Sequence, residues 1–358
     1  MKPYNVEIFT PAFRMVGNTN IDSVTYKEDY LSGDENTITI LPVKGVSKQD
    51  YIRISRGEEE YAGVITEITY GTDKSKNLMQ ISYKPLMELF DTDILFDVSE
   101  QGKGSLEDYI CRKITEMFIE NEDAEQNIQG LSVETASSTT DWYFHITPAQ
   151  AGGHFHIVNL MDSIIIPALS KYSIVVKAGL DIQNRAIRAC VGRAGTGVVT
   201  IEADLPNILK KSLTIKSVSA DVNKLVLYDA ASDYADKRVY FLHASDLGYD
   251  TFDRDRITPV VCEMKAVEHD ENSSFESAAM NEAHNRFASL SYSNLIELTM
   301  LNGDSLVRPD EMSFGQVVRI LSDKAVYTSI LTGKERGTNT KLIFGTVRLD
   351  LTKILRKE

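Results

Sequence analysis

Gly-Gln-Val-Val-Arg-Ile-Leu, residues 315–321, is one of several short apolar runs that follow one another near the end of this chain. The other runs between Asn294 and Thr352 are at residues 295–300, 326–331 and 342–349. Apolar runs of this length, rich in Val, Ile and Tyr and separated by Gly, Asp and Asn, are typical of strands joined by turns. Their close succession predicts one antiparallel β-barrel or sandwich.

The same pattern occurs 266 residues earlier in the chain. Residues 51–54 (Tyr-Ile-Arg-Ile) align with residues 317–320 (Val-Val-Arg-Ile), and Tyr61 aligns with Tyr327. The runs on either side keep the same order, since 37–41 aligns with 295–299 and 78–83 with 342–347. A repeat this distant is not a solenoid period, and it predicts two copies of one small β-domain. The alternative is a loose match between two unrelated β-meanders.

Composition is that of an ordinary globular protein, with 42% hydrophobic and 25% charged residues among 358. This length allows two to four domains. The most apolar window, residues 157–169, is interrupted by Asp162 and Pro167 and is too short to span a membrane. The N-terminus has no apolar core typical of a secretory signal, so we expect the protein to be made and folded in a cytosol. Three widely spaced cysteines, an odd number, predict free thiols.

The formal net charge of −14 bears on nucleic-acid binding. Proteins that grip nucleic acid through its phosphates need a basic surface, so specific nucleic-acid binding is not expected. An acidic wall would repel phosphate, and this is compatible with a channel through which DNA passes without sticking.

The changes of pattern along the chain predict a mainly β fold with α+β segments. We divide it into a first β-barrel domain at residues 1–95, an α+β domain at 96–205, a second β-barrel domain at 206–232 plus 292–358, and an inserted strand and helix segment at 233–291. Three helices are predicted. The first follows Ser105, which stands three residues before Asp108 as in a capping box; the second covers about 157–172; and the third covers about 274–290, capped by Ser273.

Few residues have the spacing of a chemical site. His145, His154 and His156 are the best metal candidates, but no Cys or carboxylate lies beside them at a familiar spacing, and ordinary hydrogen-bonded histidines are the simpler interpretation. The acidic run at residues 250–255 lacks the Gly and the terminal Glu of an EF-hand loop. The glycine-rich stretch 192–197 is followed by a strand-like run, which favours a turn over a phosphate loop. We therefore predict no catalytic, cofactor or metal residues.

Two β-domains interleaved with α+β segments resemble the tail hub proteins of bacteriophages. That family includes the baseplate hub of contractile coliphages, the N-terminal part of siphophage tail-associated proteins and the base of type VI secretion spikes. The chain as a whole is similar to prophage tail proteins of Gram-positive hosts. The resemblance is one of pattern and order, and it lies at residues 201–207 leading into 222–225, at the helix end before 293–298, and at 344–348.

The resemblance implies a virion structural protein at the tail tip or baseplate. It implies a homotrimer in which each chain supplies two similar barrels, so that a threefold body presents a six-fold face to the tail tube above and carries tip, spike or receptor-binding proteins below. It also implies a lumen for DNA. A part of this kind occurs in phages and in tail-like bacteriocins or injection particles, and the sequence does not separate these settings. Because they recur in both copies, Arg53 with Tyr61 and Arg319 with Tyr327 are interface candidates, although they could equally be ordinary strand residues.

Two other functions stay open at this stage. One is a tail-tip cell-wall hydrolase, because paired carboxylates need only be near in space and the sequence does not exclude them. The other is a β-rich carbohydrate-binding module that would stack sugar on the single Trp142, beside Tyr143 and Phe144, although such a cluster is more often part of a core.

Overall fold

The computed structural model of this chain describes residues 3–30, 35–57, 59–73, 76–136, 142–144, 154–195, 197–214, 222–243, 248–269, 274–288 and 295–345. In these ranges the first eleven strands are β1 (Tyr4–Phe9), β2 (Met15–Ile21), β3 (Tyr26–Asp29), β4 (Asn36–Ile40), β5 (Tyr51–Arg56), β6 (Glu59–Asp73), β7 (Lys76–Pro85), β8 (Asp93–Asp97), β9 (Leu131–Thr135), β10 (Phe155–Asn159) and β11 (Ile174–Asp181). The later strands are β12 (Ala186–Arg193), β13 (Val199–Glu202), β14 (Ile208–Thr214), β15 (Lys224–Asp229), β16 (Lys237–Leu242), β17 (Tyr249–Asp250), β18 (Cys262–Val267), β19 (Leu295–Leu301), β20 (Val317–Ser322), β21 (Ala325–Arg336) and β22 (Asn339–Phe344). The α-helices are α1 (Leu106–Phe118), α2 (Ile166–Tyr172) and α3 (Phe275–Phe287).

The first β-sheet has six antiparallel strands in the order β2-β1-β5-β6-β7-β4. Strand β4 shows the alternation of its sequence Thr-Ile-Thr-Ile, because Ile38 and Ile40 are buried while Thr37 and Thr39 are exposed. A period of two places alternate side chains on opposite faces of a strand, so one face of β4 contributes to an apolar core and the other meets solvent. Here the sequence pattern and the structure agree residue by residue.

The second β-sheet has the order β13-β20-β21-β22-β19-β14, with β3 paired to part of β21. Four neighbouring strands, β20-β21-β22-β19, repeat the order and the antiparallel pairing of β5-β6-β7-β4. The fold is therefore mainly β, with two related sheets, as predicted. Within the described residues the hydrogen-bonded path of each sheet is open rather than closed into a full barrel.

An α+β region lies between the two sheets in the sequence. Strands β11-β12-β9 form a small sheet, β8 pairs with β10, and α1 packs against β9 and β12. Helix α1 begins as predicted, since the Ser105 hydroxyl accepts a hydrogen bond from the Asp108 backbone N–H at 3.1 Å. The helix predicted at 157–172 is wrong in its first residues. Strand β10 occupies Phe155–Asn159, where side chains alternate between exposed and buried, and a π-helical turn at Met161–Ile165 then leads into α2.

The remaining unit is a four-stranded sheet, β17-β16-β15-β18, with α3 packed on one face. The small side chains of α3 let it lie close to this sheet, with Ala279, Ala283 and Phe287 buried. The hydroxyl that caps α3 belongs to Ser274, which accepts from the Ser277 N–H, so the predicted cap at Ser273 was one residue early. None of the helices in the described part of the chain is long and apolar enough to cross a membrane.

Candidate interface between the repeated β-sheets

The turns that precede β5 in the first sheet and β20 in the second sheet have the same hydrogen bond. In the first sheet the Ser47 N–H donates to the Asp50 carboxylate at 2.8 Å. In the second sheet the Ser313 N–H donates to the Gln316 side-chain oxygen at 3.2 Å. The two serines are 266 residues apart, and so are Asp50 and Gln316. The turn therefore keeps the offset that the strand sequences predicted.

The backbone hydrogen bonds after this turn also repeat. The N–H of Ile65 donates to the Asp50 carbonyl at 2.8 Å, and the N–H of Leu331 donates to the Gln316 carbonyl at 3.1 Å. Each of the two long strands then shifts register by one residue, at Thr66 in β6 and at Thr332 in β21. A β-bulge inserts one residue and bends the strand. Because the bulge lies at equivalent positions, the two meanders share their bend as well as their strand order.

Arg53 and Tyr61 lie in the first sheet. The Arg53 guanidinium pairs with Glu7 at 3.0 Å and with Glu60 at 2.6 Å, and its side chain is 30% exposed. Tyr61 is buried at 4% exposure, and its hydroxyl accepts a hydrogen bond from the Asn36 amide at 3.1 Å. Burial raises the pKa of Tyr61 well above its usual value. Its side chain is a core residue of this chain, whereas Arg53 reaches the surface.

Arg319 and Tyr327 lie at the equivalent positions of the second sheet, on β20 and β21. Arg319 is exposed, and Tyr327 is half-buried at the margin of the second core. The two arginines therefore both reach the surface, but the two tyrosines differ in burial. Their roles at an interface stay a prediction.

The two sheets are joined through β3, which sequence reasoning missed. This strand belongs by sequence to the first β-region, yet it pairs antiparallel with β21, placing Glu28 opposite Lys334 and Tyr26 opposite Arg336. The ring of Tyr26 packs against Tyr61 with ring centroids 5.0 Å apart, so β3 gives its side chain to the first core and its backbone to the second sheet. Strand β3 therefore forms a junction between the two sheets.

Two basic side chains are buried at this junction. Lys334 is 7% exposed, donates to the Met312 carbonyl at 2.7 Å and lies over the ring of Phe314. Arg336 is 6% exposed and pairs with Asp310 at 2.5 Å. Burial lowers the pKa of Lys334. Burial also raises the pKa of Glu28, an effect that the nearby positive charges oppose. A buried charge needs partners of opposite sign. Here the carboxylates of Glu28 and Asp310 partly compensate the positive charges of Lys334 and Arg336.

The predicted metal and phosphate candidates do not gather into a site. His145 lies outside the described residues, and His156 is buried at 6% exposure. No group of three His, Cys, Asp or Glu residues in the described part of the chain is placed to hold a metal ion. In the acidic run, Asp250 pairs with Arg254 at 3.0 Å and Asp253 pairs with Arg256. In the glycine-rich stretch, Gly192 and Arg193 end strand β12, and Ala194, Gly195 and Gly197 lie between β12 and β13, whereas Thr196 lies outside the described residues.

Trp142 is a core residue. Its side chain is 3% exposed, and its ring packs with those of Phe96, Tyr109 and Phe144 at centroid distances of 4.6 to 6.2 Å. Stacking on a sugar needs an exposed aromatic face, so this ring is not available for carbohydrate in the described fold.

Comparisons of sequence with known proteins find no match. No protein-family model matches the sequence. No curated protein matches it either.

Similarity to solved structures extends over nearly the whole chain. The tail protein from Neisseria meningitidis MC58 matches with a TM-score of 0.54 and 12% identity, over 96% of each chain. The 43 kDa tail protein of prophage MuSo2 from Shewanella oneidensis matches with a TM-score of 0.55 and 9% identity, also over 96% of each. A chain of the Francisella PdpA–VgrG complex matches with a TM-score of 0.50 and 10% identity, over 96% of this chain and 52% of that one. This chain therefore shares the fold of these tail proteins.

Proposed function

We propose that this chain, whose fold is that of phage and prophage tail proteins, is a structural hub of a tail or tail-like particle. In this proposal three copies close into a ring between the tail tube and the tip. Each copy contributes its two related sheets, so the ring offers six similar units on a threefold body. The host and the choice between phage and tail-like particle stay predictions.

The repeat carries this proposal. Strand order, bulge and preceding turn all recur at one offset of 266 residues, which supports two units of the same construction in one chain. A heterologous contact closes into a ring when its rotation divides the circle. Two similar units per chain let three chains match a six-fold neighbour without six separate subunits.

The charge fits a channel for DNA. A net charge of −14 gives the chain little attraction for phosphate, and DNA would pass a wall of this sign without being held. The proposed partners are therefore proteins: tail-tube or distal tail proteins on the six-fold side, and tip, spike or receptor-binding proteins on the other. The proposed location is the tail tip or baseplate.

We propose a role without catalysis. No observation on the described residues favours the cell-wall hydrolase, and the burial of Trp142 removes the residue on which the carbohydrate-binding alternative depended.

The experiment that tests the hub is solution mass by light scattering over a concentration series, together with class-averaged top views of the largest species. We expect three chains per particle and six similar lobes around a central opening. A monomer at every concentration, or a particle with only three lobes, would contradict the ring.

A further inference from the structure

One edge of β21 is shared by two different strands. Strand β22 runs along one side of β21, while the other side pairs first with β20, through residues 325–330, and then with β3, through residues 333–336. Beyond the bulge at Thr332, β3 therefore continues the line of β20 and completes that edge.

The equivalent edge of β6 has only the first of these two partners. Strand β7 runs along one side of β6, and β5 pairs with the other side through residues 59–64. Beyond the bulge at Thr66, residues 67–71 pair on that side with none of the described strands. Residues 67–70 correspond at the 266-residue offset to 333–336, which β3 covers in the second sheet.

Side-chain exposure reflects this difference. In the second sheet, Lys334 and Arg336 are 7% and 6% exposed, with Glu28 and Tyr26 of β3 directly opposite. Their equivalents in the first sheet are Ile68 and Tyr70.

Among the described residues, none covers Tyr70 in this way. It is 63% exposed, although Met79, directly opposite on β7, is fully buried. It also borders an open groove of about 340 Å³ beside Pro42 and Leu78. An apolar side chain on the core side of an open strand edge is typical of a place where another strand adds.

We propose that the edge at residues 67–71 receives an antiparallel strand from the second-sheet unit of a neighbouring copy of this chain. The inference rests on the proposed ring. Within one chain, the first unit already gives β3 to the second unit. In a ring of six alternating units, each first unit has the second unit of a neighbouring copy on its other side. We therefore expect that second unit to give a strand to the first unit, as β3 is given within one chain.

The residues at this edge specify the chemistry of the incoming strand. β3 offers Glu28 opposite a lysine and Tyr26 opposite an arginine. Ile68 and Tyr70 carry no charge, so the incoming strand presents apolar side chains at the two corresponding positions. The backbone N–H and C=O groups of residues 67–71 supply hydrogen bonds along the added strand.

Photo-crosslinking tests the contact directly. p-Benzoylphenylalanine replaces Tyr70 in one sample and Tyr234, which is 55% exposed on a turn, in a matched control. Each is assembled from equal amounts of ¹⁵N-labelled and unlabelled chains. We expect mixed-isotope crosslinks from position 70 to peptides of the second-sheet unit, and none of this kind from position 234. Crosslinks from position 70 only within one chain, or only to the first sheet of another copy, would overturn the proposal.

Substitution gives an independent readout. Tyr70→Lys places a charge on the interface edge, and we expect the dissociation constant of the ring to rise at least about tenfold, while Tyr234→Lys leaves it unchanged. Circular dichroism and thermal unfolding check that both variants fold. If the wild type forms the ring but Tyr70→Lys dissociates no more readily, the contact is overturned and the ring stands. If the wild type is a monomer throughout, the ring is overturned and the contact with it.

Discussion

Gln49 and Gly315 are equivalent residues of the two sheets, and both adopt a positive φ, 69° and 75°. Each donates its N–H at 2.8 Å to the carbonyl of the residue just before the bulge, Ile65 or Leu331. Glycine reaches this backbone region at no steric cost, whereas other residues are strained there. The two turns therefore have the same backbone, although a glutamine occupies this position in one and a glycine in the other.

Space around the two positions decides how well each tolerates a side chain. Gln49 is exposed, so its side chain extends into solvent. A Cβ at Gly315 would lie 2.7 Å from Leu169 and 2.8 Å from both Val175 and Ala194. Those contacts are shorter than van der Waals separation and belong to a packed core, so a methyl group at 315 adds overpacking to backbone strain.

We expect Gly315→Ala to lower the free energy of unfolding by about 2–4 kcal/mol, from overpacking together with the left-handed backbone. Gln49→Ala is the matched control, because it leaves a Cβ where one already exists, and it should change stability by less than about 0.5 kcal/mol. Urea unfolding followed by circular dichroism measures both. Equal effects at the two positions would contradict the difference in packing.

The strands of the repeat could be predicted because their signal is local. Ile38 and Ile40 alternate with threonines, and residues 51–54 and 317–320 share both pattern and order, so periodicity identified the strands of both meanders. The helix after Ser105 was equally visible, since its cap lies three residues from its partner. Local sequence patterns were sufficient for these elements, but not for residues 157–159, which were predicted helical and lie in strand β10.

The junction was not visible because it depends on distant residues. Nothing near Tyr26 indicates pairing with Arg336, more than 300 residues later. Tyr61 and Tyr327 are the same residue type at equivalent strand positions, but Tyr61 is buried and Tyr327 is only half-buried. Tyr61 is covered by Tyr26, whose strand is the one that crosses between sheets. The predicted domain limits stay a prediction. Strand β13, which precedes the limit at residue 205, pairs in the second sheet, and β15, which follows it, pairs in the four-stranded sheet.

We expect the buried Lys334 at the junction to contribute to the stability of the fold. Lys334→Met keeps the length of the side chain but removes the hydrogen bond to the Met312 carbonyl and one positive charge beside Glu28. An unsatisfied carbonyl and a poorly compensated carboxylate together are expected to cost about 2–4 kcal/mol in urea unfolding.

A double-mutant cycle with Glu28→Gln separates the two contributions. Because burial already disfavours the charged form of Glu28, we expect Glu28→Gln to cost less than Lys334→Met, and the double variant to be more stable than the sum of the single changes predicts. Strict additivity would mean that Glu28 and Lys334 do not interact across the β3–β21 pairing.

The environment of Trp142 predicts its fluorescence. It is the only tryptophan, and it is buried among Phe96, Tyr109 and Phe144, so the native emission should be blue-shifted and should move to longer wavelength in urea. Adding soluble cell-wall oligosaccharides should leave the emission unchanged. A concentration-dependent change in the native protein would return carbohydrate binding to consideration.

His284 predicts how stability changes with pH. Its ring lies on α3, with Nε2 2.8 Å from the Lys171 carbonyl and Nδ1 2.7 Å from the Tyr249 hydroxyl. The neutral ring satisfies both contacts, since Nε2–H donates to the carbonyl and Nδ1 accepts from the hydroxyl. Burial lowers the pKa of His284 below 6.5, and the charge of Lys171 acts in the same direction, while the hydrogen bond to the Lys171 carbonyl opposes them.

A histidine whose folded pKa is lowered contributes its full stabilisation above the unfolded pKa, near 6.5, and loses it as pH falls through the folded pKa. We therefore expect the difference in unfolding free energy between wild type and His284→Asn to narrow between about pH 7.5 and 5.5. Tyr249→Phe is the control: without the hydroxyl, protonation of Nδ1 sacrifices no hydrogen bond, so the pH dependence should be weaker. A difference that widens on acidification would mean that the folded pKa of His284 is raised and the ring becomes charged in the folded protein, with Tyr249 accepting rather than donating. A constant difference would mean that folding does not lower the pKa of His284, which also contradicts the prediction.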